Sequence, residues 1–145
     1  GGVMKLEFLE DYKDPYLKTD QGKGVFLAGV LFGYMANCQV KEGDDIKKAP
    51  IFKQLDFGRM NLRSLKKQLS RVPQLIYAYE GISKYSGLFT RLAAEAGELI
   101  LSGGQKDLGV DGNFAFTVGF SNGPDFFWKI FKKTEPSKNA NEEGN

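Results

Sequence analysis

The chain has 145 residues, 41% of them hydrophobic, which suits one packed core and is too short for two ordinary domains. Its net charge of +2 excludes identification by bulk charge, so any polyanion partner must be sought in the arrangement of cations. It has no histidine, and its single cysteine, Cys38, has no partner for an intramolecular disulfide; mixed-ligand zinc sites and His-assisted nucleophiles are thereby disfavoured.

In chain order, Gly1–Val3 read as an added stub before Met4, and nothing here has the basic-then-apolar order of a secretory signal. Met4 to Asp20 is acidic, with Leu6, Phe8 and Leu9 before the break at Asp14-Pro15, which predicts a short helix and a loop. Asp20 is a candidate N-cap for the next helix. There Val25, Phe26, Val30, Leu31, Phe32 and Met35 point in nearly every direction, as in a helix at the centre of a bundle. Ala28, Gly29, Gly33 and Ala36 permit close helix approach, and the run is shorter than the roughly 20 residues of a membrane span. Cys38 at its end suits a buried thiol in a reducing, cytoplasmic setting.

A polar connection from Lys41 to Ala49 leads to Pro50, expected at the first position of a helix with Ile51, Phe52 and Leu55. Asn61 should cap a helix whose Leu62, Leu65, Leu69 and Val72 form an apolar stripe. Pro73 should kink that helix or begin a second one carrying Leu75, Ile76 and Tyr79, with Gly81 at its end. A long helix follows with Ile82, Tyr85, Phe89, Leu92, Ala96 and Leu99, ending at Ser102-Gly103-Gly104. Between Asp111 and Ser121 the residues Phe114, Phe116, Val118 and Phe120 alternate as in a strand, but no other segment offers a strand partner, so a helix is expected. Asn122-Gly123-Pro124 opens a last helix that buries Phe126, Phe127, Ile130 and Phe131. The expected architecture is an all-α, compact bundle of about five to six helices: residues 1–133 form one domain and 134–145 a disordered polar tail.

Paired carboxylates at Glu95 and Glu98, or at Asp44 and Asp45, are read as solvated surface charges. The glycines at Gly22-Lys23-Gly24 and after Ser102 match neither a phosphate loop nor a dinucleotide fingerprint. The expectation is therefore a non-enzymatic protein with no catalytic residue, metal, cofactor or small-molecule substrate. An enzyme working through carboxylates or Tyr and Lys alone is the reading to test with a metal-dependent nuclease assay.

The strongest functional signal is the stretch from Lys47 to Arg71, which carries Lys47, Lys48, Lys53, Arg59, Arg63, Lys66, Lys67 and Arg71 against one acid, Asp56. At about 100° per residue, Arg63, Lys66, Lys67 and Arg71 fall on the side away from Leu62, Leu65 and Leu69, as a stripe roughly 12 Å long. No acid four residues away relieves their repulsion, so a nucleic-acid backbone is the expected compensating partner; a merely solubilising face is the alternative. Lys84 and Arg91 on the following helix could extend the patch, as could Lys129, Lys132 and Lys133. Tyr77, Tyr79, Tyr85 and Trp128 are base-stacking candidates that more often serve as core.

Several of these segments occur in a familiar order: an aromatic-proline-aromatic loop from Tyr12 to Tyr16, the run from Gly24 to Gly33 continuing toward Gln39, then Phe52-Lys53-Gln54-Leu55 and the Asn61-Leu62 helix start. In this the chain resembles the C-terminal region of type I-B CRISPR Cascade large subunits. That region is also made separately as a free small subunit, and Met4 stands where its internal start would fall. The resemblance implies a non-catalytic subunit that contacts target or displaced DNA strands by their phosphates, beside other Cascade subunits and further copies of itself, with no membrane partner. A module that only binds proteins, its cations matching acidic patches on them, is the competing expectation.

Overall fold

The computed structural model describes residues 4–41, 43–56, 59–78, 85–101 and 107–131. Among these residues the fold is all helix, with seven α-helices and no strand. They are α1 (Asp20–Gln39), α2 (Pro50–Leu55), α3 (Leu62–Ser70), α4 (Val72–Ala78), α5 (Ser86–Leu101), α6 (Gly109–Ser121) and α7 (Gly123–Ile130).

The acidic N-terminal segment forms the expected short helix as a 3-10 helix, Glu7–Asp11, and a second 3-10 turn, Pro15–Lys18, stands where the sequence predicts a loop. Asp14 shapes the second turn: its carboxylate accepts the Tyr16 backbone N–H at 3.0 Å, and Pro15 supplies a fixed φ at the first position. Asp20 does not cap α1. Thr19 does, in an extended conformation, its hydroxyl accepting the Gly22 N–H at 2.9 Å, while Asp20 lies inside the first turn where a negative charge favours the helix dipole.

As its all-round apolarity predicts, α1 is the central helix: Val25, Phe26, Leu27, Val30, Leu31 and Phe32 are at most 1% exposed. It packs against α6, α5 and α7. The small residues bring α1 and α6 backbone to backbone. A Cβ on Gly29 would overlap the Phe116 carbonyl oxygen, and one on Gly119 of α6 would stand 2.6 Å from the Phe26 oxygen, so glycine is needed on both helices.

The alternating aromatics after Asp111 belong to a helix, as expected. Its buried residues, Gly112, Ala115, Phe116, Gly119 and Phe120, recur at three- and four-residue intervals, whereas Phe114 is 63% exposed. The apparent period of two came from residue type and not from burial. Pro73 begins a new helix in place of a kink: α3 stops at Ser70 and Pro73 is the second residue of α4. The Pro50 and Gly123-Pro124 helix starts stand where the sequence puts them. Tyr79, Gly81, Ile82, Ser102-Gly103-Gly104 and the polar tail lie outside the described residues.

Candidate nucleic-acid interface

The basic segment is anchored by α3. Asn61 and Ser64 form a reciprocal capping box: the Ser64 N–H donates to the Asn61 side chain at 2.8 Å, and the Asn61 N–H donates to the Ser64 hydroxyl at 2.9 Å. Leu62, Leu65 and Leu69 then turn into the core, each at most 4% exposed, and α3 packs on α5. With that face fixed, the opposite side of the helix is left to solvent. Arg63, Lys67 and Arg71 are exposed there and span about 80° of the helical circumference. None of the three is within 4.0 Å of a carboxylate among the described residues. Lys67 in the last turn and Arg71 at the C-cap also meet the negative end of the helix dipole, which lowers the cost of gathering them.

Lys66 departs from the expected stripe. Four residues after Leu62, it is only about 40° around the helix from that buried leucine. It is half-buried and forms one wall of an apolar groove of about 490 Å³ between α3–α4 and α5, with Glu98 on the other wall. The cationic stripe is therefore narrower than the wheel suggested, and Lys66 stands on its inner edge.

Lys53 on α2 and Arg59 ahead of α3 are both exposed, and neither is ion-paired among the described residues. Arg91 is also exposed, but its guanidinium lies 5.7 Å from the centre of the Phe131 ring, on the side of α5 turned toward the end of α7. The α5 wall of the groove is formed by Thr90, Ala93, Ala94, Gly97, Glu98 and Leu101, and Arg91 is not among the residues that line it. Lys84, Lys132 and Lys133 lie outside the described residues, and Lys129 rides over the rings of Phe8 and Phe126 at 5.7 and 5.8 Å.

The aromatic candidates divide. Tyr85 and Trp128 pack with Tyr34, Phe89 and Phe127 in one cluster, where the Trp128 indole N–H donates to the Tyr34 hydroxyl at 3.2 Å. Burial pushes the Tyr34 hydroxyl up to about 12 despite the Trp128 hydrogen bond that opposes it. These two side chains serve the core, whereas Tyr77 on α4 is 95% exposed. Tyr79 is outside the described residues. Glu98 is exposed and Glu95 half-buried on α5, and no group of three or more potential metal ligands forms among the described residues.

Residues 4–134 match the family model described as the CRISPR-associated protein TM1802 C-terminal domain. The chain belongs to that family. The match spans all seven helices and every cation of the α3 stripe, so the basic face is part of the TM1802 C-terminal domain and not an appendage to it. No curated protein and no solved structure matches the chain. No helix among the described residues of this CRISPR-associated domain is long and apolar enough to cross a membrane. The sequence did not disclose the groove beside Lys66 or the exposure of Phe114; the only hint was an apolar residue left over once each helix's core face had been filled.

Proposed function

We propose that this domain is a non-catalytic nucleic-acid-binding module of a CRISPR effector complex of the type I Cascade class, equivalent to the C-terminal region of the large subunit, which also serves as a small subunit. The observation that carries the reading is the exposed row of Arg63, Lys67 and Arg71, none of them ion-paired among the described residues, on a helix whose other face is locked into the core. A row about 12 Å long on a rigid helix matches successive phosphates of one strand, and it has no built-in means of distinguishing bases. Sequence discrimination is then left to guide pairing, and the domain contributes charge and shape. Other subunits of the complex, including further copies of this chain, are its protein partners.

The test is binding of labelled DNA at low salt by the parent and by the triple variant Arg63→Glu, Lys67→Glu, Arg71→Glu, with circular dichroism to verify that the helices persist. The parent should bind single- or double-stranded DNA without sequence preference, and the triple variant should lose that binding. A folded triple variant that binds as tightly as the parent would sink the reading. Assembly with large protein partners but no affinity for DNA would favour the protein-interaction alternative.

A further inference from the structure

Tyr77 of α4 holds its ring almost wholly in solvent, at 95% exposure. A lone exposed aromatic is ordinary on a protein surface; its place on the molecule is what gives this one a use. α3 and α4 meet at Arg71, which is the C-cap of α3 and whose carbonyl accepts the Leu75 N–H at 3.0 Å, so the same residue opens the hydrogen bonding of α4. Tyr77 stands about 9 Å further along that helical path and about 120° round from Arg71. Val72, Leu75 and Ile76 are buried beneath α4, which puts Tyr77 about 150° from the centre of the buried face.

Pro73 lies one turn before Tyr77 and about 40° from it, and Pro73 walls the groove between α3–α4 and α5 together with Lys66 and Leu69. Tyr77 is thus one turn beyond that wall, on nearly the same side of α4. Three features follow one another along the chain: the row of Arg63, Lys67 and Arg71, the edge of the groove, and an exposed ring. From Phe57 to Tyr79 the sequence contains no aspartate or glutamate. Of the acids beyond that stretch, Glu98 lines the opposite wall of the groove and Glu80 lies outside the described residues.

We propose that Tyr77 is a stacking platform for one unpaired base of the strand whose phosphates lie along α3. The inference rests on the phosphate-binding reading and adds a substrate class to it: a single strand gains a contact here that a duplex does not. A single strand carries phosphates on one edge and bases on the other, so a strand held at Arg71 has a free base to lay on a ring about 9 Å further along the helix. In a duplex the bases are paired and stacked on each other, and the phosphates alone reach α3. At 95% exposure the ring is open to a base without any rearrangement of α4. Every base has a π-face, so the contact adds affinity and no sequence preference, in keeping with a row of phosphate contacts. A nucleobase is favoured over a side chain of another protein because the charges that precede the ring in the chain, Lys66, Lys67 and Arg71, are all cationic.

The test compares a short oligothymidine with an abasic deoxyribose-phosphate strand of equal length, each titrated at low salt against the whole chain. The two strands carry the same phosphates and differ only in their bases. The parent should bind the oligothymidine about ten-fold tighter. Tyr77→Ala should bind the two strands alike, with its affinity for duplex DNA and its salt dependence unchanged because no phosphate contact is lost, whereas Tyr77→Phe should keep the preference. Equal affinity of the parent for the two strands, an undiminished preference in Y77A, or a loss in Y77F as large as that in Y77A would overturn the proposal. Equal binding of both strands by the parent, abolished by the triple variant Arg63→Glu, Lys67→Glu, Arg71→Glu, would overturn it and leave the phosphate-binding reading standing. Binding of neither strand would overturn both.

Discussion

Gly29 of α1 lies so close to Phe116 of α6 that the carbonyl oxygen of Phe116 occupies the space a side-chain carbon would need. The obstacle is backbone, which cannot swing aside as a flexible side chain does. Gly29→Ala should therefore destabilise the fold by about 2 kcal/mol, the overpacking penalty exceeding the roughly 1 kcal/mol that alanine gains over glycine in a helix. On α5, by contrast, a Cβ at Gly97 meets nothing within 4 Å. Gly97→Ala should stabilise by about 0.5 to 1 kcal/mol. Urea denaturation of the two variants should move the midpoint in opposite directions; equal shifts would mean that α1 and α6 are not packed as closely as described.

Loss of the α3 cap should loosen the platform that presents the cations. Asn61→Ala removes the acceptor for the Ser64 N–H and should cost about 1 kcal/mol, while Asn61→Asp, which keeps an acceptor oxygen, should cost little. Thermal unfolding distinguishes the two. If the alanine and aspartate variants melt together, the capping box is not holding the start of α3.

Much of this fold was legible because helix identity depends on local pattern. The all-round apolarity of α1 marked it as central, and Asn61, Pro50 and Gly123-Pro124 marked helix starts, each through a backbone requirement that a few residues satisfy. The misreadings share a different cause. Choosing Asp20 over Thr19 as the cap required knowing which residue leaves the helical conformation, and both side chains are competent acceptors. At the interface, the cations of α3 could be read from the wheel, but Lys66 stands near its edge, and only the packing of α5 shows that it lines a groove. Arg91 could not be placed from the sequence for the same reason: a wheel orders the side chains around α5 but does not say which neighbour each one meets, and Arg91 meets Phe131. Phe114 was counted with its aromatic neighbours because an amphipathic pattern cannot mark one phenylalanine as exposed when residues on the other side of the helix are equally apolar.

Alkaline pH should weaken the fold through Tyr34. Its hydroxyl is pushed up to about 12, chiefly by burial, from an unfolded value near 10, so between these limits the unfolded chain releases a proton that the folded chain retains. The unfolded state then binds fewer protons, and stability must fall as pH rises. This contribution is fully present below pH 10 and is lost as pH rises toward 12. Tyr12 and Tyr16 are shifted in the same direction and add to the trend. Tyr34→Phe should flatten the pH dependence of the urea midpoint in this window, while lowering stability at neutral pH by about 1 kcal/mol through loss of the hydroxyl that accepts the Trp128 N–H. An unchanged alkaline slope in Tyr34→Phe would assign the effect to other groups.

The salt dependence of DNA binding can resolve the interface residue by residue. Each phosphate contact releases condensed counterions, so removing one should reduce the slope of log affinity against log salt by about 0.7 for a single strand and about 0.9 for a duplex. Arg63→Ala, Lys67→Ala and Arg71→Ala should each produce that reduction, because all three side chains are exposed on the outer face of α3. Lys66→Ala should leave the slope nearly unchanged, since Lys66 is turned to the groove opposite Glu98 and lies at the edge of the stripe. Arg91→Ala should also spare the slope, its guanidinium being held over the Phe131 ring. The comparison is sharper than overall loss of binding, because a general loss of net charge would lower affinity in all five variants alike. Equal slopes across the five would show that the strand does not follow α3, and a loss confined to Lys66 and Arg91 would move the contact to the α5 side of the groove.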